Sequence, residues 1–317
     1  MTAPLRLTGS SLTIADVARV ARDPAVRVSL DSAALAQLAD SRRGVERAIA
    51  SGETMYGINT GFGKLANVRV AADQLDQLQV NLIRSHAAGV GALLPDPVVR
   101  AAMLLRANVL LRPTSGVRPA LVESLVALLN AGLVPAVPEQ GSVGASGDLA
   151  PLSHIALVLM GEGALADGRS VPAALASAGL SPVRFAPKEG ISFINGTQAQ
   201  TAMLALLVND AGLLWRTAVA AAAMSLEALR GTPTPLDPRI HEARPHAGQV
   251  ETARVMRELL ADSEIRESHR DNDPRVQDAY SLRCSPQVLG ATLDAIRFAE
   301  QAIWRSEERR VGKECRS

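Results

Sequence analysis

The sequence predicts a mainly α fold with a small mixed α/β region at its start. Three observations carry this. Long apolar stretches with helical spacing dominate from Asp96 onward, short extended signals are confined to the first thirty residues, and aromatic residues make up only 3% of the chain. A core without aromatics must be built from Ala, Leu and Val, which suits helices that approach closely.

The first elements alternate. "LRLT" reads as a short strand, "SLTIADVARVARD" as a helix with a Ser/Thr cap, "VRVSL" as a second strand and "DSAALAQLADSRRGVERAIASG" as a helix opening on Asp31. Beyond Asp96 come "DPVVRAAMLLRANVLL", then "RPALVESLVALLNAG" stopped by Gly132, then "APLSHIALVLMGEG" directly after a glycine-rich loop. The run 196–231 is apolar nearly all round, yet Asn209, Asp210 and Arg216 sit inside it, as in a buried bundle helix rather than a membrane span. Helices at "AGQVETARVMRELLAD" and "SPQVLGATLDAIRFAEQAIW" follow. The expected organisation is a mixed region over 1–95 with a mobile tyrosine loop, a helical region over 96–304, and a tail over 305–317. That tail, "RSEERRVGKECRS", breaks the preceding apolar pattern and resembles translated adapter sequence, so it is expected to be non-native and to carry no chemistry.

Bulk properties narrow the function. With 33 Lys and Arg against 32 Asp and Glu, the chain has no electrostatic footprint for nucleic acid or an anionic membrane, which leaves a small-molecule partner. Its N-terminus lacks a basic-then-apolar leader, and its two cysteines, Cys284 and Cys315, have no metal-type spacing; both features fit a reducing cytoplasm. Familiar motifs fail one by one. "YGINTGFGK" (56–64) has Ile58 and Leu65 where a phosphate loop needs Gly and Ser or Thr. "IHEARPH" (240–246) has Pro245 where a zinc helix needs its second histidine. The serine of Gly144-x-Ser146-x-Asp148 misses the hydrolase elbow by its last residue.

What remains is "GSVGASGDLAP" (141–151). Without a side chain, the Gly147 amide nitrogen is able to approach the Ala145 carbonyl carbon. Cyclisation with loss of one water there, and of a second from the Ser146 hydroxyl, leaves a five-membered ring with an exocyclic methylidene. Such a ring is an electrophile that no unmodified side chain supplies.

The full string "GSVGASGDLAPLSHIALVLMGEG" occurs together with "YGINTGFG" (56–63), "SHAAG" (85–89), "NGTQA" (195–199), "IHEARPHAGQ" (240–249) and "ESHRDNDPRVQDAYSLRCSPQ" (267–287). In this set and order, covering 1–304, the chain resembles the aromatic amino-acid ammonia-lyases, and among them the branch acting on histidine. The resemblance implies a long-helix bundle of the ammonia-lyase (fumarase/aspartase-like) type, here truncated. It also implies a 4-methylidene-imidazol-5-one group made from Ala145, Ser146 and Gly147, no external cofactor, and a homotetramer whose sites draw on several subunits. Members of this family continue through a further helical region, which supplies an aromatic residue and a glutamate to the site, so this chain by itself is expected to be an inactive fragment.

The same resemblance assigns roles. Tyr56 is the base for the β-proton, a task for which a phenol, with a pKa of about 10, needs a positive field nearby. Arg283 is the fork for the substrate carboxylate, Asn195 a hydrogen-bond partner of carboxylate and ring, and Tyr280 and Gln277 are neighbours in the site. His86 is able to exchange a hydrogen bond with a substrate imidazole, which favours L-histidine, with urocanate and ammonia as products. A tyrosine-selective relative could use the same histidine for the phenol oxygen, so a tyrosine or phenylalanine lyase, or an aminomutase, stays open as an alternative. A helical assembly protein without catalysis is the alternative of another class. Outside these strings, Tyr56, His86 and Arg283 would read as core or surface residues.

Overall fold

The computed structural model describes residues 4–51, 54–55, 57–61, 70–144 and 147–309, with side chains described except at 72 and 304–309. Two compact units are formed, one within Met1–Leu206 and the other over Leu207–Trp304.

The first unit opens with β1 (Leu5–Leu7), α1 (Ile14–Arg22), β2 (Val28–Leu30) and α2 (Ser32–Ser51), β1 and β2 pairing in parallel with Leu5 opposite Val28. Caps read from the sequence are present. Thr13 Oγ1 accepts from the Asp16 N–H at 3.1 Å while the Asp16 carboxylate takes the Thr13 N–H at 3.3 Å, so two orphan donors of α1 are satisfied reciprocally. Asp31 does the same for α2, accepting from the Ala34 N–H at 2.8 Å.

There follow α3 (Leu75–His86), β3 (Val90–Leu93), α4 (Asp96–Leu110), α5 (Pro119–Asn130), β4 (Pro138–Gln140), α6 (Leu149–Leu159), α7 (Val171–Ser177) and α8 (Glu189–Ile194). Helix α4 is buried around nearly its whole circumference, against α1 on one side and α5 on another. Its Arg100 is buried too, and donates to the carbonyls of Val20 (2.8 Å), Ala21 (3.2 Å) and Leu129 (3.4 Å), the orphan acceptors at the ends of α1 and α5. Gly132, at φ +68°, stops α5 as its sequence predicts. Helices α3, α6 and α8 pack on one another.

The expected boundary at 95–96 does not separate the compact units. Strand β3 pairs antiparallel with β4, Val90 opposite Gln140, and α1 packs on α4, so both sides of that boundary share one core.

Helix α9 (Gln198–Ala228) begins in the first unit, and the second unit contains its remainder with α10 (Pro238–Glu242), α11 (Ala247–Leu259), α12 (Glu264–Glu267), α13 (Tyr280–Arg283) and α14 (Ser285–Arg309). Its core is small: Val219, Ala223, Leu226, Leu236, Met256 and Leu260. Two glycines let α11 and α14 touch backbone to backbone. A Cβ on Gly290 would lie 2.4 Å from the Gln249 backbone, and Asp294 Oδ1 accepts from the Gly248 N–H at 2.8 Å at the start of α11. Helix α9 is not enclosed in this chain, with Leu207 64% and Leu214 68% exposed. Helix α14 continues to Arg309, five residues into the expected tail.

Candidate functional site

Of the residues singled out by sequence, Tyr56, Ala145 and Ser146 lie outside the described residues. The frame around the last two is described on both flanks. Gly147 has φ +141°, a conformation that side chains rarely adopt, and a Cβ there would stand 2.7 Å from the Gly196 carbonyl oxygen and 2.8 Å from its nitrogen. The Asp148 N–H donates to the same Gly196 carbonyl at 2.6 Å. The "NGT" turn (195–197) therefore lies directly on the end of the glycine-rich loop, and only glycine fits between them.

Asp148 is fully buried and its carboxylate is saturated. Oδ1 accepts from Ser142 Oγ at 2.6 Å and Gln200 Nε2 at 2.5 Å, and Oδ2 accepts from the Gln200 N–H at 2.9 Å. One residue thus ties the loop to its own beginning and places its charge at the first turn of α9, where the helix dipole favours an anion. Gly144, at φ +67°, donates its N–H to Ser142 Oγ at 3.3 Å. The loop is held at both ends by side chains, and α6 starts immediately after it.

Two further segments reach this frame. Asn195, half-buried, ends α8, and its backbone N–H donates to Ile191 at 2.9 Å. His86, also half-buried, ends α3, and its Nδ1 donates to the Leu82 carbonyl at 2.8 Å. That bond places a proton on Nδ1, and in the neutral tautomer with this proton Nε2 is an acceptor. Past His86 the chain runs through Gly89, whose Cα lies 3.1 Å from where a Cβ on Gly141 would stand.

Gln277, Tyr280 and Arg283 form a separate group within the second unit. Turned so that Oε1 faces the guanidinium, the Gln277 amide accepts from Arg283 Nε and Nη1 at 3.1 Å each, and from Nη2. Arg283 Nε also donates to the Asp278 carbonyl at 2.9 Å, and its guanidinium lies 5.5 Å from the centre of the Tyr280 ring. The fork assigned to a substrate carboxylate is engaged here by the chain itself. Tyr280 is 70% exposed. A hydrogen bond with Cys284 lifts its phenol above the ordinary value, against a smaller downward pull from Arg283, so it is suited to donate a hydrogen bond while keeping its proton. Gln277 also lines a cleft of about 570 Å³ together with His269, Arg270, Asp273, Arg275 and Asp278.

Sequence reasoning missed Asp148, Ser142, Gln200 and His154 as site-forming residues. Asp148 and His154 lie inside the quoted string, but their partners are 52 and 65 residues away, a distance no local pattern reports. "IHEARPHAGQ" proves structural in its first half: buried His241 donates from Nε2 to the Pro235 carbonyl at 2.9 Å and accepts at Nδ1 from Gln249 Nε2 at 3.0 Å.

The profile of the family described as "Aromatic amino acid lyase" matches residues 12–306. A histidine ammonia-lyase of Geobacillus thermodenitrificans is 50% identical over 302 residues, which are 94% of this chain and 59% of that protein. Among solved structures, histidine ammonia-lyase from Trypanosoma cruzi superposes with a TM-score of 0.85 at 37% identity, over 96% of this chain and 57% of that one. Tyrosine aminomutase from Streptomyces globisporus gives 0.87 at 35% identity, over 96% and 61%. The chain spans about three-fifths of the length of the relatives it matches.

Proposed function

Since the chain belongs to the aromatic amino acid lyase family, we propose that it is part of a carbon–nitrogen lyase of the cytoplasm that deaminates L-histidine non-oxidatively to urocanate and ammonia and, at the full length of its relatives, assembles as a homotetramer. One observation carries the reading: Gly147, held at φ +141° and closed to any Cβ by Gly196, has the backbone freedom and the fixed surroundings that cyclisation with Ala145 and Ser146 demands. The cradle fits the group. When formed, the 4-methylidene-imidazol-5-one supplies the electrophile that makes the substrate amine able to depart, with no external cofactor.

The chain's own residues do the rest. Asp148 holds the loop closed through Ser142 and pins it to α9 through Gln200. His86 offers Nε2 as the acceptor for a substrate imidazole N–H, a bond that phenylalanine lacks the means to make. By the family resemblance, Arg283, released from Gln277, is the fork for the substrate carboxylate, and Asn195 is a hydrogen-bond partner of the substrate. Tyr56 takes the β-proton, and Tyr280, with its raised phenol, keeps its own. The 50% identity to a histidine ammonia-lyase, against 35% to a tyrosine aminomutase, favours histidine as substrate.

Intact mass and product spectra test this together. The expected mass is lower than the encoded one by two waters, and Ser146→Ala or Gly147→Ala restores the encoded mass. Urocanate is the expected product. Coumarate or cinnamate in its place overturns the substrate assignment, and an unmodified mass in an active protein overturns the prosthetic group. A full mass with no turnover at all leaves the helical assembly protein as the better reading.

A further inference from the structure

His154 belongs to α6 but to none of the roles above, and its ring sits against the segment that carries His86. The Gly89 N–H donates to His154 Nε2 at 3.2 Å. On the same glycine, a Cβ would lie 3.0 Å from Nε2 and 3.1 Å from the Pro138 side chain, while Gly141, the first residue of the glycine-rich loop, backs onto Gly89 from its own side. Gly89 is thus clasped between an imidazole, β4 and the loop. We infer that His154 is a positioning residue: by accepting the Gly89 amide it holds the His86 segment against β4 and Gly141 at the start of the glycine-rich loop, and so sets where His86 meets the substrate.

Three facts favour this over simple packing. Gly89 lies only three residues beyond His86, with no helix in between to absorb a shift, since α3 ends at His86. The bond requires an imidazole with a bare Nε2, and burial holds the His154 ring below the ordinary imidazole pKa, which keeps it neutral. Glycine at 89 is dictated by the approach of that ring, because any side chain would push Nε2 away. Helix α6 therefore fixes two things at once: the end of the loop, through Asp148 at its N-cap, and the recognition segment, further along the helix, through His154.

The inference rests on the reading that His86 contacts the substrate, so the test separates the two. Hydrogen exchange over peptides covering 86–93 is compared in the wild-type chain, in His154→Phe, which keeps the ring but not the acceptor, and in His154→Gln, whose amide oxygen replaces Nε2. L-histidine affinity is measured on the same three proteins. The expected result is exchange about tenfold faster and L-histidine binding about tenfold weaker in His154→Phe, with both restored in His154→Gln. Unchanged exchange in His154→Phe overturns the clasp. Faster exchange with unaltered L-histidine affinity overturns the positioning role. A wild-type chain that binds no L-histidine, while exchange still responds and the glutamine still rescues, supports the clasp and counts against the proposed function. Should His154→Phe fail to fold, 15N spectra of the wild-type ring decide: an unprotonated Nε2 supports the inference, and a protonated one overturns it.

Discussion

A single buried imidazole gives the second unit a pH dependence of known sign. His241 donates from Nε2 and accepts at Nδ1, an arrangement open only to the neutral ring, and burial outweighs the opposing pull of the Pro235 carbonyl to hold its pKa below 6.5. Above that pH the ring is neutral folded or unfolded, and its contribution to stability is complete. As the pH falls below it, the unfolded chain takes up a proton that the native ring refuses, so stability declines until the native ring is protonated as well. Between about pH 7.5 and about pH 5.5 the thermal midpoint should drop further in the wild-type chain than in His241→Gln, whose side chain does not titrate. Equal slopes in the two proteins would remove His241 from the account. Asp148 illustrates another kind of buried polar group: its three acceptances are all from within the first unit, and its part is to hold the loop.

At the scale of elements, contact between α11 and α14 is set by glycine. A methyl group at position 290 meets the Gln249 backbone at 2.4 Å, whereas one at Gly212, in α9, finds only the Arg216 guanidinium at 3.8 Å. Gly290→Ala should therefore cost about 1–3 kcal/mol through overpacking, and Gly212→Ala should stabilise by about 0.5–1 kcal/mol through helix propensity. Denaturant unfolding of the two variants checks the contrast, and the same sign for both refutes it. The sequence makes most helices legible because their caps are local: Thr13, Asp31 and Gly132 do what residues of their type do at those positions. It conceals β3, whose four residues, "VGAL", are all exposed and show no alternation, and whose partner strand lies far along the chain, with Val90 paired to Gln140. The candidate site divides the same way. Its chemistry-bearing residues stand in recognisable strings, while two of the bonds that hold them, Asp148 to Gln200 and His154 to Gly89, cross long sequence separations.

Across the whole molecule, apolar surface is the dominant property of the second unit. Leu207, Leu213, Leu214 and Met224 on α9 and Val288 and Phe298 on α14 are all exposed, Phe298 by 75%. Scattered singly they would be ordinary, but along two helices they form stripes of the kind that associate. Concentrated solutions of the chain should contain non-native oligomers that bind a hydrophobic dye, seen by light scattering after size exclusion. Leu207→Lys combined with Leu214→Lys should shift the population toward monomer without loss of helix signal. Extending the chain with the remaining two-fifths of a relative should replace these oligomers with one defined assembly that binds no dye, and should raise urocanate formation. A monodisperse monomer with no dye binding would show that these stripes do not drive association.

The Ser142–Asp148 hydrogen bond has one more consequence. It makes the stretch between them a ring of fixed circumference, since both its anchor points are also bound elsewhere, to Gln200 on one side and to the start of α6 on the other. Surface loops tolerate a change of length by swelling outward; this one has its two ends clasped to each other and to α9. A residue inserted after Val143 therefore bears on the Ser142–Asp148 clasp, and with it on the hold of Asp148 on the first turn of the longest helix among the described residues. The length of a seven-residue span thereby becomes a ruler for an element that begins fifty residues later.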